Sequence, residues 1–163
     1  KNLQYLSGNL EVINGALIIS KEINGKVKTP YLSDGLAGLI IVIKKYLEIE
    51  DNEELNNILI KIVETCKCEF STNVSLFDGL SGMGLALLEA YEFYKNDDLL
   101  VAAYNIFKSI TLYKVEVNGV HYYPNLSIIQ ISSDLESGEA GILYFFKKLV
   151  YNIKTTNNSK TTV

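Results

Sequence analysis

The sequence of 163 residues contains no arginine and no tryptophan, one histidine, one methionine and two cysteines. Without guanidinium groups no single side chain can hold an oxyanion by two parallel hydrogen bonds, so an anion would be bound by lysine, hydroxyl or backbone N–H groups. The cysteines, Cys66 and Cys68, are too close in sequence for an ordinary disulfide, and this usage indicates a reducing, cytoplasmic setting. Because Met83 is the only methionine, we expect the chain to be part of a longer protein.

Long apolar runs and basic clusters are missing as well. Apolar residues make up 48% of the chain, but charged residues interrupt the apolar runs after about five positions, so we expect no membrane span. The net charge is −4, which argues against a nucleic-acid partner because the phosphate backbone attracts basic surfaces. The length favours a single domain with one core.

The most informative feature is an internal repeat. A Gly-x-small-Gly motif opens three apolar stretches, and its first and second glycines are Gly35 and Gly38, Gly79 and Gly82, and Gly138 and Gly141. The stretches that follow are apolar nearly all round, which predicts buried helices over 35–47, 82–93 and 141–151. The segments 55–63 and 99–110 have apolar residues at helical spacing on one face only.

Helices of these two kinds suit an inner and an outer ring, which predicts a mainly α fold, a partial α/α toroid. Asn-Gly turns predict small β-hairpins at the N-terminus and before the last helix. The expected segments of one domain are a β-meander over 1–30, two helical-hairpin repeats over 31–113, a hairpin and loop over 114–133, and the last inner helix with a frayed polar tail over 134–163.

With these repeats the chain resembles the lanthionine-cyclase (LanC-like) family, and in particular the C-terminal cyclase domain of class III lanthipeptide synthetases. The flanks that carry the resemblance are Pro30-Tyr31-Leu32, Ser75-Leu76-Phe77-Asp78 and Ser132-Ser133-Asp134, each just before one copy of the motif. The resemblance implies a closed toroid, of which this chain would hold the last three inner helices. It also implies a synthetase that adds cysteine thiols to dehydrated serine or threonine of a precursor peptide, making lanthionine or labionin rings.

The same resemblance implies the partners and cofactors. The partners would be the precursor peptide and the rest of the synthetase, namely the missing toroid repeats and the kinase and lyase domains. ATP and magnesium would belong to the kinase domain, and this segment would hold no cofactor and be inactive as an isolated fragment. Zinc-dependent members carry cysteine and histidine where this chain has Ser33, Phe77 and Asp78. These residue types do not form a zinc site, so we predict cyclisation without a metal.

Without a metal, the visible anion-stabilising groups are the backbone N–H groups at the starts of the inner helices. They would stabilise a thiolate or enolate as an oxyanion hole does, next to a peptide bound along the six motif glycines. The alternative is that the glycines only allow close packing. Aromatic residues near the motifs are further candidates for substrate contact, with core packing as their alternative: Tyr31, Phe77, Tyr122 and Tyr123.

Three side chains are candidates for catalysis. Asp34 and Asp78 directly precede the first two motifs and would orient a thiol or the peptide, the alternative being that they cap the helices. His121 would be a general acid or base, with a pKa raised by Glu116 across a two-residue hairpin; the alternative is an exposed Glu–His pair.

Two other functions remain open from the sequence. The segment would be a non-catalytic scaffold or leader-peptide-binding part of the same synthetase, or an α/α-toroid glycosidase with paired carboxylates. The absence of tryptophan and the position of the acids at helix starts count against the glycosidase.

Overall fold

The computed structural model describes residues 10–13, 16–19, 29–124 and 131–160. These residues form five α-helices and two β-hairpins, which confirms the predicted fold class. The helices are α1 (Leu36–Leu47), α2 (Glu53–Thr65), α3 (Leu80–Tyr94), α4 (Asp97–Thr111) and α5 (Glu139–Lys160). The strands are β1 (Leu10–Ile13), β2 (Ala16–Ile19), β3 (Val115–Val117) and β4 (Val120–Tyr122).

The helices form an inner and an outer layer. In the inner layer α3 packs against α1 on one side and against α5 on the other. In the outer layer α2 packs on α1 and α4 packs on α3, each as the second helix of a hairpin. The repeat in the sequence therefore corresponds to a repeat of helical hairpins in space.

None of the described helices has the length and apolar character that crossing a bilayer requires.

Burial follows the periodicity that predicted each helix. α3 is buried around nearly its whole circumference, from Leu80 to Leu88 without interruption. α2 and α4 bury one face each and begin at asparagine N-caps. The Asn52 side chain accepts a hydrogen bond from Leu55 N at 2.9 Å, and Asn96 accepts one from Asp98 N at 3.0 Å. Such caps satisfy N–H groups that the helix itself leaves without partners.

The last helix is longer than the sequence predicted. It starts at Glu139 and reaches Lys160, so the expected frayed tail is wrong for residues 157–160, while 161–163 lie outside the described residues. Near its C-terminal end Thr156 donates to the Asn152 carbonyl at 2.8 Å, and its hydroxyl is 2.6 Å from the Tyr91 hydroxyl of α3. We attribute the extension to this anchor, which composition does not reveal.

The hairpin before the last helix agrees with prediction. β3 and β4 are antiparallel, with Glu116 opposite His121. The turn residues Asn118 and Gly119 have φ of 53° and 78°, the positive values that a type I′ turn requires. At the N-terminus β1 pairs antiparallel with β2. The predicted turns at residues 14–15 and 24–25 lie outside the described residues.

A buried lysine joins α1 to α3. Lys44 is 4% exposed, and its Nζ lies 2.9 Å from Glu89 Oε2 of α3 and 3.0 Å from Glu48 Oε1. Burial alone would lower the pKa of Lys44, but the hydrogen bonds to Glu89 and Glu48 outweigh it and the pKa is raised. Lys44 is therefore charged at neutral pH and links neighbouring inner helices.

This link predicts unequal effects of two adjacent substitutions. Lys44→Ala should lower the free energy of unfolding by about 2–3 kcal/mol, because Glu89 is left without its partner in a partly buried site. Lys45→Ala is the matched control: its side chain is 63% exposed and pairs with Glu48, so the loss should be below about 0.5 kcal/mol. Urea denaturation measures both, and equal losses would contradict the assignment.

Candidate functional site at the three glycine junctions

Each inner helix is preceded by a loop of the same shape. We call these segments junction 1 (residues 29–38), junction 2 (73–82) and junction 3 (132–141). Backbone hydrogen bonds connect them in a row: Leu32 N and Ser33 N donate to Phe77 O at 3.0 and 3.1 Å, and Phe77 N donates to Glu136 O at 3.2 Å. The three helix starts therefore lie together at one end of the inner layer.

The first glycine of each motif allows the loop to return over the helix start. A Cβ placed on Gly79 would lie 2.5 Å from Ser75 N and 2.7 Å from Asn73 O, both backbone atoms. The equivalent Cβ on Gly35 would meet Thr29 O, and the one on Gly138 would meet Ser132 O. The carbonyl in question is six residues before the glycine in all three junctions. No side chain fits at these positions.

The second glycine brings neighbouring junctions together. A Cβ on Gly82 would lie 2.9 Å from Leu32 Cβ of junction 1, and one on Gly141 would lie 2.6 Å from Leu76 Cβ of junction 2. Each of these glycines thus receives a leucine from the preceding junction. The packing interpretation of the glycines has direct support at Gly82 and Gly141, while contact of the six glycines with a substrate stays a prediction.

Several amides at the helix starts already have partners. Ala37 N donates to Pro30 O, Leu80 N to Asn73 O, Ser81 N to Val74 O, and Glu139 N to Ser132 O, at 2.9–3.3 Å. In each case the acceptor belongs to the same junction. The proposed oxyanion hole is therefore wrong for these four N–H groups, because the loop carbonyls satisfy them before any ligand arrives.

The two aspartates are not the N-cap residues of their helices, as the capping interpretation requires. The N-cap residues of α1 and α3 are Gly35 and Gly79, and neither helix has a side-chain cap hydrogen bond. Asp34 and Asp78 lie one position earlier, because the glycines occupy the cap where the loop backbone passes too close for a Cβ. Asp78 instead accepts a hydrogen bond on Oδ1 from the Ser33 hydroxyl of junction 1.

The Ser33–Asp78 pair is a hydrogen bond between side chains of junctions 1 and 2. Ser33 is exposed and Asp78 is half-buried. Among the described residues Asp78 Oδ2 has no partner. A carboxylate oxygen with available lone pairs can accept a hydrogen bond from a hydroxyl, amide or thiol of a bound molecule.

Junction 3 has a different polar arrangement. Asp134 accepts hydrogen bonds from the Ser132 hydroxyl and, at 2.7 and 3.0 Å, from the N–H and hydroxyl of Ser137. These bonds, that of the Ser132 hydroxyl foremost, hold the pKa of Asp134 well below its usual range. Asp134 is thus ionised and organises its own loop.

His121 lies on the exposed β3–β4 hairpin. Its Nδ1 is 3.9 Å from Glu116 Oε2, and both side chains are more than half exposed. The predicted cross-strand pair is confirmed. The hairpin is tied to the start of α5 through Tyr123, whose N–H donates to Glu139 Oε1 at 2.9 Å. The described residues do not bring His121 into contact with Ser33 or Asp78, and its catalytic role stays a prediction.

The predicted aromatic contacts take part in packing. The Tyr31 hydroxyl is 2.8 Å from Ser71 Oγ, and the Tyr123 ring packs edge-on against Phe146 at 5.8 Å between centroids. Phe77 and Tyr122 are half-buried. Phe77 contributes most through its backbone, which bonds to both neighbouring junctions.

The two cysteines have different environments. Cys66 is fully buried at the end of α2, and burial raises the pKa of its thiol to about 12. Cys68 is exposed. Cys66 therefore stays protonated and belongs to the core.

A family model described as lanthionine synthetase C-like protein matches residues 26–162, most of the chain. The chain belongs to this family. At the level of the family, this membership implies lanthionine cyclase activity on a precursor peptide. The match covers all three junctions and every described helix. No curated protein matches the chain.

Zinc-dependent members of the LanC-like family would bind the metal at this place. The positions of their ligands are occupied here by Ser33, Phe77 and Asp78, and Ser33 and Asp78 are directly hydrogen-bonded. One hydroxyl and one carboxylate do not fit zinc, which takes three or four ligands from cysteine, histidine and carboxylate. Over 29–124, 131–160 and the described strands, no group of three His, Cys, Asp or Glu residues is placed to share an ion.

Ser33 is the residue that sequence reasoning missed. The sequence alone presents Ser33 only as an absent metal ligand, although it is the hydrogen-bond donor to Asp78. The repeat contains a usable signal: Ser33, Phe77 and Glu136 hold the same place in the three junctions, two residues before the first glycine. An alignment of the three loops at this position would have placed Ser33 beside the residues of junction 2.

The glycine geometry predicts a large loss of stability from a small substitution. Gly79→Ala should lower the free energy of unfolding by about 3 kcal/mol, because the methyl group meets backbone atoms of Ser75 and Asn73 that cannot move without opening the junction. Thermal and urea unfolding measure the loss.

The control for this substitution is Gly119→Ala in the β3–β4 turn. No heavy atom lies within 4 Å of a Cβ at Gly119, and only its φ of +78° opposes a side chain, so the loss should be about 1 kcal/mol. A smaller loss at Gly79 than at Gly119 would show that the loops do not return over the helices.

Proposed function

We propose that this chain is the cyclase part of a class III lanthipeptide synthetase and forms lanthionine or labionin rings without zinc. The observation that carries the proposal is the Ser33–Asp78 hydrogen bond at the positions where metal-dependent relatives hold zinc ligands. Membership of the LanC-like family supports a precursor peptide as substrate and favours a cyclase over a glycosidase.

The proposed chemistry is the addition of a cysteine S–H across the C=C bond of dehydrated serine or threonine. Sulfur bonds to the β-carbon, the π electrons move to the α-carbon as an enolate, the thiol proton leaves sulfur, and the α-carbon takes up a proton. Complete transfer of the proton from a thiol to an ordinary carboxylate costs about 6 kcal/mol, given the pKa values of the two groups. Asp78 is therefore proposed to orient the S–H group through Oδ2, while Ser33 holds Oδ1.

The proton itself needs another carrier. An imidazole transfers protons near neutral pH, so His121 and water are the candidates for taking the thiol proton and protonating the enolate. His121 lies on a hairpin attached to the start of α5, which would have to approach the junctions when peptide is bound. Asp34 is proposed to contact the peptide next to Asp78.

The proposal extends to the rest of the synthetase. In a class III enzyme, kinase and lyase domains would supply the dehydrated peptide, with ATP and magnesium bound by the kinase domain and none of these cofactors by this segment. The cysteine usage fits action in the cytoplasm. Further toroid repeats would complete the peptide-binding surface, so this segment alone is proposed to be inactive.

A second candidate function is peptide binding without chemistry. It is favoured because loop carbonyls accept hydrogen bonds from four N–H groups at the helix starts. Fewer N–H donors are then available to stabilise a developing negative charge. In that case the junctions would hold the leader or precursor peptide while another part of the enzyme catalyses ring closure.

The test uses the complete synthetase with a pre-dehydrated peptide and a chelator. Cyclisation leaves the peptide mass unchanged, so loss of labelling by N-ethylmaleimide reports the consumed thiol. Ser33→Ala and Asp78→Asn should each slow cyclisation by about tenfold to 100-fold with unchanged peptide affinity, because they disturb orientation of the thiol. His121→Ala should slow it and change its pH profile.

Asp51→Asn, in the exposed turn before α2, is the control and should cyclise at the wild-type rate. Weaker peptide binding with an unchanged rate for bound peptide would favour the binding function. Stoichiometric zinc, or loss of activity on chelation, would overturn the zinc-independent proposal.

A further inference from the structure

The residue after the first glycine is of a different type in the third copy of the motif. In the first two copies it is Leu36 and Leu80, which are completely buried at the starts of α1 and α3. In the third copy it is Glu139, which is half-buried and begins α5. A leucine at this position fills the core, whereas a carboxylate is costly to bury unless it has a hydrogen-bond partner. The packing of the inner helices therefore does not explain Glu139.

The Glu139 residue joins junction 3 to the β3–β4 hairpin. Its Oε1 accepts a hydrogen bond from Tyr123 N at 2.9 Å, and Tyr123 directly follows β4. Its own N–H donates to Ser132 O at 2.9 Å inside the closed junction. One residue thus bonds through its backbone to the loop before α5 and through its carboxylate to the end of the hairpin.

Contacts at the base of the hairpin set its direction, because the strands themselves are little buried. All three residues of β3 and two of the three residues of β4 are exposed. On the β3 side the Tyr113 hydroxyl donates to Ser71 O at 2.6 Å. On the β4 side Tyr123 packs its ring against Phe146 and donates its N–H to Glu139. A two-stranded hairpin with little burial is only marginally stable without such contacts.

His121 lies close to the anchored end of β4. It precedes Tyr123 by two residues, and at the rise of an extended strand this separation is about 7 Å along the chain. The position of the imidazole therefore follows the position of the Tyr123 backbone. Loss of the hydrogen bond at Tyr123 N would allow the end of β4, and His121 with it, to change direction.

We propose that Glu139 is a positioning residue for His121. Its carboxylate holds the end of β4 at junction 3, so that the hairpin bends toward the bound peptide about a base that stays in place. The inference rests on the proposed role of His121 as a proton carrier. Glu139 acts only through His121 and does not touch the reacting atoms.

Substitutions at position 139 test the anchor in the complete synthetase. Glu139→Leu introduces the residue of the other two copies and removes the acceptor of the Tyr123 N–H. Glu139→Gln keeps an acceptor oxygen in the side chain and is the matched control. Hydrogen exchange at the Tyr123 amide should be faster by about tenfold or more in Glu139→Leu, and within about twofold of the wild type in Glu139→Gln. Unchanged exchange in Glu139→Leu would show that Glu139 does not hold the hairpin.

Cyclisation of a pre-dehydrated peptide separates positioning from a general loss of structure. Glu139→Leu should lower kcat by about tenfold and change KM by less than about twofold, because the peptide still binds while the imidazole is misplaced. Glu139→Gln should keep kcat within about twofold of the wild type. In the His121→Ala background, Glu139→Leu should cause no further loss, since a residue that acts only through His121 has nothing left to position. A further loss in that background, or a higher KM with unchanged kcat, would overturn the inference.

The result for His121→Ala alone separates this inference from the proposed function. If His121→Ala is slow while Glu139→Leu cyclises at the wild-type rate, His121 keeps its proposed role and Glu139 is not its positioning residue. If His121→Ala cyclises at the wild-type rate, the proposed role of His121 fails and the inference fails with it. Glu139→Ala removes the same carboxylate without adding bulk, so the same results decide if Glu139→Leu does not fold.

Discussion

The return of each loop backbone over the start of its inner helix is the constraint on which the rest of the structure depends. At the first glycine of each motif a carbonyl six residues earlier occupies the space of a Cβ, and at the second glycine another carbonyl does so. Because the loops are closed in this way, their outer backbone groups can bond to the neighbouring junctions. A local steric requirement thus sets the spacing and order of the inner helices.

The same closure shapes the chemistry of the site. Loop carbonyls satisfy amides that would otherwise stabilise an anion, so the junctions differ from an open helix N-terminus. They bring side chains together instead: Ser33 reaches Asp78 because Leu32 and Ser33 both donate their N–H groups to Phe77 O. Where zinc-dependent members of the family have metal ligands, this chain has a hydroxyl–carboxylate pair. The proposed function follows from this difference in residue type.

Sequence periodicity was sufficient for the helices and their layers, because all-round and one-faced apolar patterns differ over a dozen residues. The Asn-Gly dipeptide likewise predicted the turn at Asn118 and Gly119, which have positive φ. Sequence reasoning failed where tertiary contacts decide. The helical end of α5 depends on Thr156 meeting Tyr91, and the role of Asp78 depends on a loop 45 residues away. Neither composition nor local spacing reveals these contacts, although aligning the three junctions would have placed Ser33 beside junction 2.

Native-state hydrogen exchange of the junction amides tests the account most directly. The N–H groups of Leu32, Ser33 and Phe77 bond across junctions. If closed junctions organise the inner layer, these loop amides should exchange only through global unfolding, with protection within about tenfold of the α3 core. Exchange at the rate of exposed loops, while α3 stays protected, would show that the junctions open independently and do not hold the helices together.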